Sequence, residues 1–89
     1  MKVRVNLKAL KSEGAKIEDE LEMEVEENST VKSLLERLVL TYGDNLAKLI
    51  GNSERGFKVL VIKDGEVAKY NQSLKNNDKL SLILPVAGG

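Results

Sequence analysis

The chain contains neither histidine nor cysteine. That removes disulfides, thiolate nucleophiles, Cys/His zinc sites and imidazole acid–base catalysis together. Among side chains only carboxylates, lysines, tyrosines and hydroxyls remain, and one stretch offers a main-chain carboxylate instead: Leu84-Pro85-Val86-Ala87-Gly88-Gly89. Glycine lacks a Cβ, so a Gly-Gly end lies flat in a narrow channel and leaves its last carbonyl carbon open to attack from either side. Pro85 cannot donate to a sheet ladder and helps peel these residues away from a preceding strand. Fully extended, residues 85–89 reach roughly 17 Å, far enough to enter another protein's active site. The Gly89 carboxylate is therefore the candidate reacting group, with Pro85, Val86, Ala87 and Gly88 threading a partner. The plain alternative is a frayed terminus. Two final glycines arise by chance in about one chain in 200, so the reading depends on a fold that would present them.

A second chemistry-bearing row is Glu18, Glu20, Glu22, Glu24 and Glu26. Calcium and magnesium sites gather oxygens around a point, not along a ribbon. Paired with an antiparallel neighbour, the row instead places glutamates opposite Lys2, Arg4 and Lys8, each pair contributing about 0.2–1 kcal/mol at best. No metal site is expected. Gly51 and Gly56 lack nucleotide-loop spacing, so no phosphate or cofactor site is expected there either.

The elements that must carry these groups follow from periodicity. Residues 2–9 alternate, with Val3, Val5, Leu7 and Ala9 on one side, and 17–26 alternate again, both predicting half-buried strands. Asn28, Ser29 and Thr30 offer helix caps. Apolar residues then recur at three and four from Val31 to Tyr42, and Gly43 supplies a stop, which predicts a helix over 31–42. Leu40 lies opposite the apolar stripe. Leu46, Ala47, Leu49 and Ile50 suggest a short helical turn near it, and 51–56 reads as a mobile loop. Residues 57–63 are apolar on both faces, Asp64-Gly65 is a two-residue hairpin signal, and 66–70 returns. Leu74 plugs the core, Asn76-Asn77-Asp78 turns, and 79–84 is the last strand.

One substantial helix covers one face of a sheet. Either Val59 and Val61, or Leu60 and Ile62, must then face outward, unless the 44–56 segment covers them. Leu60 and Ile62, joined by Ile83 of the last strand, form the candidate partner patch.

With 89 residues the chain makes one small domain, and its net charge of zero argues against nucleic acid. No apolar run is long enough to span a membrane, and the N-terminus opens directly into a strand instead of a signal peptide. A soluble cytoplasmic protein is expected.

The order strand, strand, helix, strand, strand, strand predicts an α+β domain over 1–84 followed by a flexible tail over 85–89. With Gly-Gly at its end, this order resembles the ubiquitin-like β-grasp fold, and more narrowly the MoaD/ThiS-type sulfur-carrier family. The resemblance is best from Val59 to Gly89, and its ending is similar to the Pro-Pro-Val-Ala-Gly-Gly of the molybdopterin-synthase small subunit. Asn76-Asn77-Asp78-Lys79 departs from the family's usual Asp-Gly-Asp, and Leu84 stands where a first proline is common. The resemblance implies a mixed five-stranded sheet and a carrier that binds no cofactor itself. An E1-like adenylyltransferase, using ATP and magnesium, would adenylate Gly89, and a persulfide donor would convert it to a thiocarboxylate. The large subunit of molybdopterin synthase would then receive the sulfur. Alternatives keep this chemistry but change the acceptor to a thiamin precursor, a tRNA or a protein lysine. A further alternative is a β-grasp binding module with an inert tail.

Overall fold

The computed structural model describes residues 1–85. Strand β1 runs Lys2–Asn6 and β2 runs Glu20–Glu24. They pair antiparallel with Lys2 opposite Glu24, Arg4 opposite Glu22 and Asn6 opposite Glu20. Alternation therefore sorts as expected: Val3, Val5 and Met23 are buried while the charged partners stand outside.

β1 stops earlier than residue 9. Leu7 and Leu10 are both fully buried, a spacing of three that an alternating strand cannot satisfy. The chain turns into the one-turn helix α1, Lys8–Ser12, with the Asn6 Oδ1 accepting from the Lys8 N–H at 3.0 Å. Lys8 thus leaves the ladder and faces no glutamate across it. β2 is shorter than 17–26, although single bonds continue the pairing, from Leu7 N–H to the Asp19 carbonyl at 2.7 Å and from Val25 N–H to the Met1 carbonyl at 2.8 Å.

Helix α2 spans Val31–Tyr42, the span its periodicity predicts. Thr30 caps it reciprocally with Ser33: Thr30 N–H donates to the Ser33 Oγ at 2.9 Å, and Ser33 N–H donates to the Thr30 Oγ1 at 3.2 Å. Two further first-turn amides, of Val31 and Lys32, donate to the carbonyls of Gln72 and Tyr70 at 3.0 and 2.8 Å. Val31, Leu34, Leu35 and Leu38 are fully buried against the sheet. Helix α3, Asp44–Ile50, follows Gly43 and sends Leu46 and Ile50 into the core. It does not cover Leu40, which is 83% exposed.

The segment read as a mobile loop is a small hairpin, β3 (Gly51–Asn52) with β4 (Gly56–Phe57). Gly51 has φ +88°, and a Cβ there would collide with the Gly56 carbonyl, so glycine is required. Because Phe57 belongs to this hairpin, the strand expected over 57–63 is broken, and β5 begins at Leu60 and ends at Lys63. Tyr70 fills the gap. Its hydroxyl donates to the Val59 carbonyl at 2.6 Å and accepts from the Val59 N–H at 3.3 Å, while its ring meets Phe57 edge-on at 6.1 Å. Tyr70 is thereby a pin and not a ladder residue, and β6 is only Glu66–Val67.

β7, Lys79–Ile83, lies between β1, to which it is parallel, and β5, to which it is antiparallel. The sheet order is β2-β1-β7-β5-β6. It is a mixed five-stranded sheet with α2 packed on one face, the α+β β-grasp arrangement. Leu74 is buried as a plug, and Leu80 and Leu82 of β7 point into the core.

Candidate functional site

β7 ends at Ile83, and the described chain runs two residues further. Ile83 stands opposite Leu60 in the ladder with β5. Leu84 is half-buried against the core and Pro85 is exposed. Val86, Ala87, Gly88 and Gly89 lie outside the described residues. The group expected to react, the Gly89 carboxylate, lies among them.

The face of the sheet around the end of β7 is apolar. Val59 and Val61 are buried, at 3% and 0% exposure, which turns Leu60 and Ile62 outward. Leu60 is 38% exposed, Ile83 40%, and Ile62 is half-buried. Val67, 60% exposed, sits opposite Ile62 and belongs to the same surface. The sequence reading passed over it. Asp64 and Gly65 both take positive φ, 53° and 80°, as a two-residue type I′ connection requires. Such a turn fixes Ile62 opposite Val67, so that signal was available. The 44–56 segment does not cover this surface: its Leu46 and Ile50 are in the core, and Leu60, Val67 and Ile83 remain exposed.

The other half of the outer face is charged. Glu22 forms an ion pair with Lys2 at 3.7 Å and accepts from Arg4 at 3.4 Å, and the N-terminal ammonium lies 3.7 Å from Glu24. These side chains are exposed, and exposed pairs stabilise little. Among the described residues no three His, Cys, Asp or Glu side chains gather as a metal-holding group, and no polar or charged residue is buried. On the helix side, burial pushes the Tyr42 phenol above its ordinary 10.0, and the Glu18 carboxylate adds to the push. Among the described residues no helix is long and apolar enough to cross a membrane.

What this geometry offers chemically is an apolar surface beside the end of β7, next to a charged strip. A partner gripping the apolar half would sit where the residues after Pro85 begin.

Comparison with known proteins bears on the fold and the family. No curated protein matches the chain. Among solved structures it is similar to small archaeal modifier protein 1 of Haloferax volcanii, with a TM-score of 0.79 at 23% identity over 96% of this chain and 98% of that one. It is similar to a protein assigned as molybdopterin converting factor subunit 1 of Pyrococcus furiosus, with a TM-score of 0.71 at 23% identity, covering 97% and 99% of the two chains. A chain from the complex of subunits 1 and 2 of molybdopterin-converting factor of Helicobacter pylori superposes with a TM-score of 0.59 at 24% identity, covering 100% of both. These likenesses establish the ubiquitin-like β-grasp fold. The ThiS family model matches residues 3–89, nearly the whole sequence and all of its Gly-Gly ending. By that match the chain belongs to the ThiS family.

Proposed function

We propose that this chain is a sulfur carrier acting through the carboxylate of Gly89, as the small subunit of molybdopterin synthase. A carboxylate is a poor electrophile, so its oxygen first attacks the α-phosphate of ATP, held with magnesium by an E1-like enzyme. Pyrophosphate leaves and an acyl-adenylate forms. A donor persulfide attacks the acyl carbon and AMP departs. A second donor thiol then cleaves the sulfur–sulfur bond, keeping the oxidised pair on the donor and leaving a thiocarboxylate on Gly89. The large subunit presents the pterin precursor that receives this sulfur. ATP-dependent activation suits the cytoplasm. Pro85, Val86, Ala87 and Gly88 thread the partner's channel, while Leu60, Ile62, Val67 and Ile83 dock against its surface.

The observation that carries the reading is the family match extending through Gly89. The apolar surface where β7 ends supports it, because a carrier must be held while its last residues reach into another protein. The same chemistry with a thiamin precursor, a tRNA or a protein lysine as acceptor differs in the partner, not in this chain.

Intact-mass measurement after incubation with an E1-like enzyme, ATP, magnesium and a sulfur donor tests it. The expected product carries one oxygen-to-sulfur exchange on Gly89. An unchanged mass under conditions that thiocarboxylate a control carrier refutes it. Adding the charged carrier to the large subunit with the pterin precursor then distinguishes acceptors, since only the molybdopterin reading returns the carrier to its carboxylate there.

A further inference from the structure

The open edge of β2 carries main-chain groups that sulfur carriage does not use. Met1 and Val25 exchange hydrogen bonds, the ammonium to the Val25 carbonyl at 2.9 Å and the Val25 N–H to the Met1 carbonyl at 2.8 Å. In an antiparallel ladder bonded and non-bonded pairs alternate. Val3–Met23 and Val5–Leu21 are therefore the bonded pairs, and Glu24, Glu22 and Glu20 are the non-bonded residues opposite Lys2, Arg4 and Asn6. The amides and carbonyls of these glutamates point away from β1, over the sheet's open edge. One is already occupied: Arg37 Nη1 donates to the Glu24 carbonyl at 2.7 Å. Among the described residues nothing bonds the N–H or C=O of Glu20 and Glu22, or the N–H of Glu24.

Apart from Arg37 at the Glu24 end, the charge along this edge is negative. Between residues 18 and 27 the chain has seven carboxylates and no cation. Lys2 and Arg4 both spend themselves on Glu22, and Lys11 pairs with Asp19 at 3.0 Å. Leu21, half-buried, sits between Glu20 and Glu22 and points to the side of the sheet that α2 covers. The edge thus repeats every second residue: an outward glutamate with free main-chain groups, then an inward apolar residue.

We propose that this edge accepts an extended segment of a partner protein as a sixth strand, with lysine or arginine at alternate positions. The main chains pair along Glu20–Glu22, short of the carbonyl that Arg37 occupies, the basic side chains stand among the glutamates, and the intervening apolar side chains turn inward beside Leu21. A second copy of β2 is a poor occupant because glutamate would face glutamate. β2 and β6 are the two opposite edges of the sheet, so such a segment leaves the surface beside β7 free. The inference does not rest on the carrier reading, and its failure would leave that reading intact.

The test uses the whole chain, isotope-labelled, with two acetylated, amidated peptides of one composition: Lys-Val-Lys-Val-Lys and Lys-Lys-Lys-Val-Val. The alternating peptide is expected to shift the Glu20 and Glu22 amide signals and slow their hydrogen exchange. The blocked isomer, having charge without register, is expected to bind about tenfold more weakly. Equal affinity of the isomers, binding that leaves the Glu20 and Glu22 amides unchanged, or no binding by the alternating peptide each overturns the proposal. The double variant Glu20→Lys, Glu22→Lys is expected to reverse the preference toward Glu-Val-Glu-Val-Glu, with unchanged Val5 and Leu82 amides reporting an intact fold. A reversal that fails in this folded variant also overturns it.

Discussion

The two halves of the sheet share an inner face and differ on the outer one. Inside, Val3, Val5 and Met23 of the β1–β2 half are buried in the same core as Val61, Leu80 and Leu82 of the β5–β7 half. Outside, the first half carries Lys2, Arg4 and a row of glutamates, while the second carries Leu60, Ile62, Val67 and Ile83. A single sheet and a single helix therefore support two surfaces. Burial inside holds the fold, and the outer residues, nearly free of that duty, are available for recognition. The apolar outer half is the one in which β7 ends, with Ile83 opposite Leu60.

That division can be broken most severely at the chain's end. Deleting Gly88 and Gly89 should abolish thiocarboxylation in the mass assay while leaving the denaturant midpoint unchanged, since no core residue is touched. Next is the inner face. Leu82→Ala should cost about 2–5 kcal/mol in urea unfolding, because it empties a fully packed site. The matched outer change, Leu60→Asp, should lower kcat/KM for thiocarboxylation about 30-fold, the loss expected when a central apolar contact is replaced by a charge, with little change in midpoint. If Leu60→Asp instead unfolds the chain as Leu82→Ala would, the two faces are not separate in function. In the charged half, Arg4→Ala should shift stability by less than about 0.5 kcal/mol, because its pair with Glu22 is exposed at 3.4 Å.

The smallest effect concerns pH. The folded-state pKa of Tyr42 is raised above 10.0, first by burial and then by Glu18. Below pH 10.0 the phenol is neutral in both states and nothing is lost. As pH climbs past that point the unfolded phenol ionises first, so stability falls until the folded phenol ionises too. Tyr42→Phe should remove that part of the alkaline decline in unfolding midpoints, and an unaltered decline would contradict the assignment.

Local signals were legible in proportion to how local their causes are. α2 is readable because Thr30, the three-and-four stripe and Gly43 act within a turn or two of the helix. The alternation of β1 misled beyond Asn6 because Ala9 mimics an inward residue, whereas Leu10 takes the core position once the chain turns into α1. The break between β4 and β5 was not legible. It depends on Tyr70 reaching Val59 across the fold, and nothing near residue 58 announces that bond. Val67 was legible in principle through the Asp64-Gly65 turn.

Sequence alone determined the α+β class, that glutamates face Lys2 and Arg4, the helix and the likeness of the Gly-Gly ending to a carrier family. Each follows from periodicity, capping or residue type, which act over a few residues. Only the tertiary structure decided that Leu60 and Ile62 face outward, that Ile83 and Val67 join them, and that β7 ends there. Residues 57–63 are apolar on both faces, so their own pattern is symmetric. The choice fell to α2 and Leu74, which cover one side of the sheet and leave the other bare.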